Sequence, residues 1–139
     1  MISCRNGSPP GVATPTVYNH FEDKHALLRE SVTLVAQAVG ADCVAVLDRL
    51  RATGEDPRAA LDDVAHRLLR VCDDERSHAL RCLAYGHPEL ITLVRDQTAG
   101  RTLDALTDRL ARLTLAGKLR AEDPEVAAEQ LLALLAAPL

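Results

Sequence analysis

Apolar residues recur every three or four positions along nearly the whole chain, the spacing of one face of a helix rather than the alternation of a strand. A first long helix starts near Asp23 and carries Leu28, Val32, Val35, Val39, Cys43, Val46 and Leu50. Gly40 interrupts it at a cost of about 1 kcal/mol relative to Ala and favours a slight bend. Thr53-Gly54 closes it, as glycine commonly does just past a helix. Asp56-Pro57 opens the next helix, Asp as cap and Pro in the first turn, with Leu61, Val64 or Ala65, Leu68 and Val71 or Cys72 facing inward. A shorter helix from Glu75 to about Tyr85 buries Ala79 and Cys82 or Leu83 and stops at Gly86. Pro88 starts another, with Leu90, Ile91 and Val94 in its first half and Leu103, Leu106, Leu110 and Leu113 in its second. Gly100 divides that helix and Gly117 ends it. Asp123-Pro124 repeats the Asp-Pro start for a last helix, Glu125 to about Ala137. The pattern predicts an all-α fold.

The last helix is apolar all round at Leu131, Leu132, Leu134 and Leu135. Such a helix must be covered on both faces, one by its own domain and one by another surface. Replacing Leu132 and Leu135 by Glu is the test this pattern suggests.

The stretch GVATPTVYNHFEDKHALL, residues 11–28, follows a different logic. Gly11 supplies a turn, Val12 an apolar anchor and Thr14-Pro15 a helix start. The short helix Pro15–Phe21 then offers Thr16, Tyr18, Asn19 and His20, groups that bond phosphates and base edges. Val17 and Phe21 share one face and pin it to a core. This stretch resembles the DNA-recognition half of the TetR family of bacterial transcriptional repressors, over Gly11, Val12, Thr16, Val17, Tyr18, His20, Phe21, Lys24, Ala26, Leu27 and Leu28. The resemblance implies that Tyr18 and Lys24 hold phosphates, while Thr14, Thr16 and Asn19 reach base edges and His20 stands with them. The motif helix has no Arg for bidentate reading of guanine, and Ala13 stands where many relatives have a Ser cap.

Two later stretches, HPELITLVRDQTAG and GKLRAEDPEVAAEQLLALL, are similar to the ligand-sensing domain of the same family. The implied division is residues 1–22 as part of a helix-turn-helix and 23–139 as an effector-binding and dimerisation domain. In the family, two helices precede the Gly-Val turn, and the segment MISCRNGSPP with Gly7, Pro9 and Pro10 does not match them. The family's final interface helix likewise has no counterpart before Pro138-Leu139, so both ends read as shortened. The implied function is a dimeric repressor of a double-stranded operator, released by a small effector, in which Leu131, Leu132, Leu134 and Leu135 meet their copies across a two-fold axis. The alternative is a helical partner that binds no DNA and dimerises with intact regulators.

Composition refines this picture. The net charge is −4, from 16 basic and 20 acidic residues, and residues 1–30 balance Arg5, Lys24 and Arg29 against Glu22, Asp23 and Glu30. Phosphate neutralisation drives non-specific DNA affinity, so the chain itself is expected to bind DNA weakly. The run Leu131–Leu139 is far short of the roughly twenty residues of a membrane span, and no secretory leader is evident, so a cytoplasmic protein away from membranes is expected. Cys4, Cys43, Cys72 and Cys82 form no CxxC pair, and His66, His78 and His87 fall in no ligand spacing, so neither a metal nor another cofactor is expected. No nucleophile elbow or phosphate loop occurs, which argues against an enzyme. Of the 3 aromatic residues, Tyr18 and Phe21 belong to the recognition motif. An effector pocket is therefore aliphatic and suits a small aliphatic or acyl effector better than a flat aromatic one. His66, Leu69, Cys82, Tyr85 and Val94 are its candidate lining.

Overall fold

A computed structural model describes the backbone of residues 14–51 and 56–136, and the side chains of 22–51 and 56–135. Among these residues every element is helical. Helix α1, Thr14–Leu47, is followed by α2, Pro57–Cys72, and α3, Glu75–Gly86. A 3₁₀ turn, Pro88–Leu90, leads into α4, Ile91–Arg95, then a π turn, Asp96–Gly100, then α5, Arg101–Leu115. Helix α6, Pro124–Ala136, closes the described part. The motif residues Gly11 and Val12, the Thr53-Gly54 stop, Cys4 and the chain end lie outside the described residues.

Several starts and stops follow from local chemistry. Asp56 accepts a hydrogen bond from the Arg58 N–H at 3.0 Å, with Pro57 in the first turn. Asp123 does the same for Glu125 at 3.0 Å. Asp74 caps α3 by accepting from Ser77 N–H at 2.9 Å. Helix α5 ends on Gly117 at φ 74°, where Lys118 N–H donates to Leu113 and Gly117 N–H to Thr114. That pair of bonds is the Schellman arrangement, which needs a residue at home in left-handed backbone.

The long first helix departs from expectation in three ways. It runs unbroken for 34 residues, so the separate short helix Pro15–Phe21 and the fresh start near Asp23 are not seen. It ends at Leu47 instead of Thr53, and a tighter turn, with Leu50 N–H on the Leu47 carbonyl at 3.0 Å, carries Leu50 into the core. Its buried face is Val32, Ala36, Val39, Cys43 and Leu47. Val35 is exposed and Val46 half-buried, because the helix face is set one residue later than the stripe read from sequence. By length and composition, Glu22–Leu47 is also able to cross a membrane. A third of that window is buried against the other helices.

Helix α1 is the axis of the domain. Around it the core gathers Val64 and Leu68 of α2, Leu80 of α3, Leu90, and Leu106, Leu110 and Leu113 of α5, with Ala128 of α6. Ion pairs fasten it to its neighbours at the rim: Arg49 to Asp63 of α2 at 2.9 Å, Asp42 to Arg76 of α3 at 2.5 Å, and Asp48 to Arg109 of α5. Hydrogen bonds from Arg49 and then Arg67 hold the Asp63 carboxyl below its usual range. These pairs are largely solvent-exposed and contribute little each.

Gly40 does more than interrupt a helix. It is buried where the π turn crosses α1, and a Cβ there would sit 1.9 Å from the Gln97 carbonyl oxygen. Only a residue without a side chain allows the two backbones so close. Arg101 adds a bond to the Gln37 carbonyl beside this crossing, at 3.3 Å.

Candidate functional site

A cavity of about 180 Å³ opens beside α1. Val39 and Cys43, on the buried face of α1, line it. Leu68 and Cys72 come from α2, Ser77, Leu80 and Arg81 from α3, and Leu132 and Leu135 from α6. The remaining wall is the π turn and its flanks, Val94, Thr98, Ala99 and Thr102. A π turn is uncommon within a helix and recurs at functional sites, because the extra residue pushes part of the backbone out of register.

The wall is almost wholly apolar, and its hydroxyls are tied to their own helices. Thr98 donates to the Val94 carbonyl at 2.7 Å, Thr102 to that of Thr98 at 2.8 Å, and Ser77 to that of Val71 at 2.6 Å. Each hydroxyl proton is thereby used within its own helix or turn. Burial pushes the Cys43 thiol up, against a hydrogen bond with Thr102. Burial likewise pushes the Cys72 thiol up, against the nearby Arg81 cation. Both thiols stay protonated at neutral pH and behave as small apolar groups. Arg81 is the charged member of the wall. It donates from Nη1 to the Cys72 carbonyl at 2.8 Å, which closes the C-terminal end of α2.

Of the five residues expected to line a pocket, Val94 alone lines this cavity. Leu69 is 41 % and Tyr85 86 % exposed, and Cys82 and His66 lie outside as well. The reason is again register. Helix α2 turns Leu68 and Cys72 inward, which puts Leu69 on the surface. Helix α3 turns Ser77 and Leu80 inward, so the expected Ala79 and Cys82 face out. The cap at Asp74 fixes where α3 begins, and the packed helices select the face it buries.

The remaining histidines make short local contacts. His66 Nδ1 lies 2.8 Å from the Asp62 carbonyl oxygen and His78 Nε2 3.7 Å from Cys82 Sγ. Asp74 is engaged with Arg76 at 2.9 Å and with Ser77 N–H, which holds its carboxyl below the usual range, rather than with His78. Among the described residues, no three His, Cys, Asp or Glu side chains converge on one point.

The recognition segment lies at the far end of α1. Thr14, Thr16, Tyr18, Asn19 and His20 are within its helical backbone, but their side chains lie outside the described ones. Lys24 is exposed one turn on. At the other end of the chain, Leu134 of α6 is 77 % exposed, whereas Leu131, Leu132 and Leu135 pack against the core.

The described residues form an all-α domain built round one long helix, with an aliphatic cavity at its side. A family model described as the C-terminal domain of AefR-like transcriptional repressors matches residues 59–139, more than half of the chain. The chain belongs to the TetR family of transcriptional regulators. No curated protein and no solved structure matches it significantly.

Proposed function

We propose that this chain is a ligand-released repressor whose effector occupies the cavity between α1 and the π turn. The observation that carries the reading is the continuity of α1. One unbroken helix contributes Val39 and Cys43 to the cavity lining and holds Thr14–His20 at its other end. Thr16 and Cys43 are separated by about 40 Å of helix at 1.5 Å per residue. A small rotation imposed at the cavity therefore becomes a displacement of the recognition segment, and two such segments in a dimer change their spacing on DNA.

In this reading residues 1–22 serve DNA contact, through Thr14, Thr16, Tyr18, Asn19 and His20, with Lys24 just beyond them, and residues 23–139 serve sensing and dimerisation. The effector is a small aliphatic or acyl compound, because the cavity wall carries no aromatic ring. The protein acts in the cytoplasm and has no catalytic role. Selection of bound duplexes from a random pool, followed by fluorescence anisotropy, tests the proposal. A pseudo-palindromic consensus bound weakly and with steep salt dependence is expected. Failure of any sequence to be enriched at low salt overturns the DNA-binding function.

A further inference from the structure

The cavity has one charged group, and its placement says which end of a ligand goes where. Arg81 stands at the mouth, where the end of α2 meets the start of α3. Among the described residues no carboxylate lies within ion-pair distance of it, unlike Arg49, Arg67, Arg76, Arg109 and Arg112. Of the acids near this corner, Asp74 is paired with Arg76, and Asp73 is exposed at the end of α2. The bond to the Cys72 carbonyl uses one donor of a five-donor group and fixes the orientation of the rest. Inward from Arg81 the wall is aliphatic, through Leu80, Val94, Leu132 and Leu135. Water occupies about 30 Å³ per molecule in the liquid, so the cavity holds a chain of roughly six methylene-sized groups.

We infer that the ligand is a medium-chain aliphatic carboxylate, with its tail in the cavity and its carboxylate on Arg81. The inference rests on the cavity being the effector site and adds the chemical class and orientation of the occupant. A guanidinium with free donors at the rim of an apolar pocket favours a planar anion over an alcohol or ester of the same length. A charge-assisted bond of this kind is the stronger sort, and the carboxylate stays hydrated on its outer side, so burial costs little.

Isothermal titration calorimetry with octanoate, octan-1-ol and methyl octanoate on the whole chain tests it. Octanoate is expected to bind at least about tenfold more tightly than the two neutral compounds, the size of one hydrogen bond to a charged group. Arg81→Gln is expected to abolish that preference while leaving the neutral compounds unchanged. The Gln amide ends two bonds short of the Nη1 that donates to the Cys72 carbonyl, so far-UV circular dichroism of the variant checks that α2 is intact. Arg81→Lys is expected to keep part of the preference, which a merely structural role would not do. Ala99→Phe, filling the cavity from the π turn, is expected to weaken all three compounds together. Equal binding of acid and alcohol, or octanoate binding insensitive to Arg81→Gln, overturns the carboxylate anchor and leaves the cavity reading standing. Octanoate binding insensitive to Ala99→Phe, or no binding of any compound, overturns both.

Discussion

Gly40 shows how much a single position can decide. Its Cα lies under the Gln97 carbonyl oxygen, and the two have no room for a methyl group between them. In an isolated helix Gly→Ala stabilises by about 1 kcal/mol. Here overpacking opposes that gain, and Gly40→Ala is expected to lower stability by about 1–3 kcal/mol, measured by urea unfolding. An unchanged or raised midpoint would show that the crossing yields easily. The sequence marks Gly40 as an anomaly but not what faces it, since Gln97 is remote along the chain. The same limit explains the shifted faces. Val35 and Ala36, Val46 and Leu47, and Leu68 and Leu69 are adjacent apolar pairs, and only the neighbouring helix selects which member is buried. Caps such as Asp56 and Asp123 are read correctly from sequence because their partners lie two or three residues away. The cavity wall was harder to see. Ser77, Thr98 and Thr102 look like polar filler in helices, and their hydroxyls do bond their own backbone.

At the scale of the element, α6 separates two roles that its leucines seemed to share. Leu132 and Leu135 line the cavity, so replacing them with Glu would confound ligand binding with association. Leu134 points to solvent, with Val126 two turns earlier also 44 % exposed. Under the proposed function this outer stripe meets its copy across a two-fold axis. Leu134→Glu is expected to shift the dimer toward monomer in sedimentation velocity, with a melting temperature nearly unchanged at fixed monomer content. A dimer that persists at the same concentration places the interface elsewhere. The π turn is the other element that sequence reading reached only in part. Gly100 was seen as a division, and it is the last residue of the turn that bends the wall around the cavity.

Across the whole molecule, under the proposed function, α1 joins the cavity to the segment that contacts DNA, and the continuity of that helix is the testable quantity. Ser31 is exposed, lies two turns before Val39 and touches neither end. Ser31→Pro removes a backbone bond and kinks the helix there, at a cost of about 3 kcal/mol. Octanoate affinity is expected to survive this change, whereas the effect of octanoate on DNA affinity is lost. Coupling between two ligands is reciprocal, so DNA should equally cease to affect octanoate binding. Calorimetry with and without the selected duplex reads both. Coupling that persists through Ser31→Pro assigns transmission to another route.

The crossing of the π turn over α1 has a consequence for descent. At Gly40 and Gln97 the meeting groups are main chain, identical whatever side chains surround them. Substitutions at Val94, Thr98, Ala99 or Thr102 can reshape what the cavity accepts without altering the fulcrum on which α1 rests. Under the proposed function, recognition of a new compound and retention of the response to it are thereby separately inheritable. A lineage carrying this glycine is free to wander among ligands while keeping its mechanics.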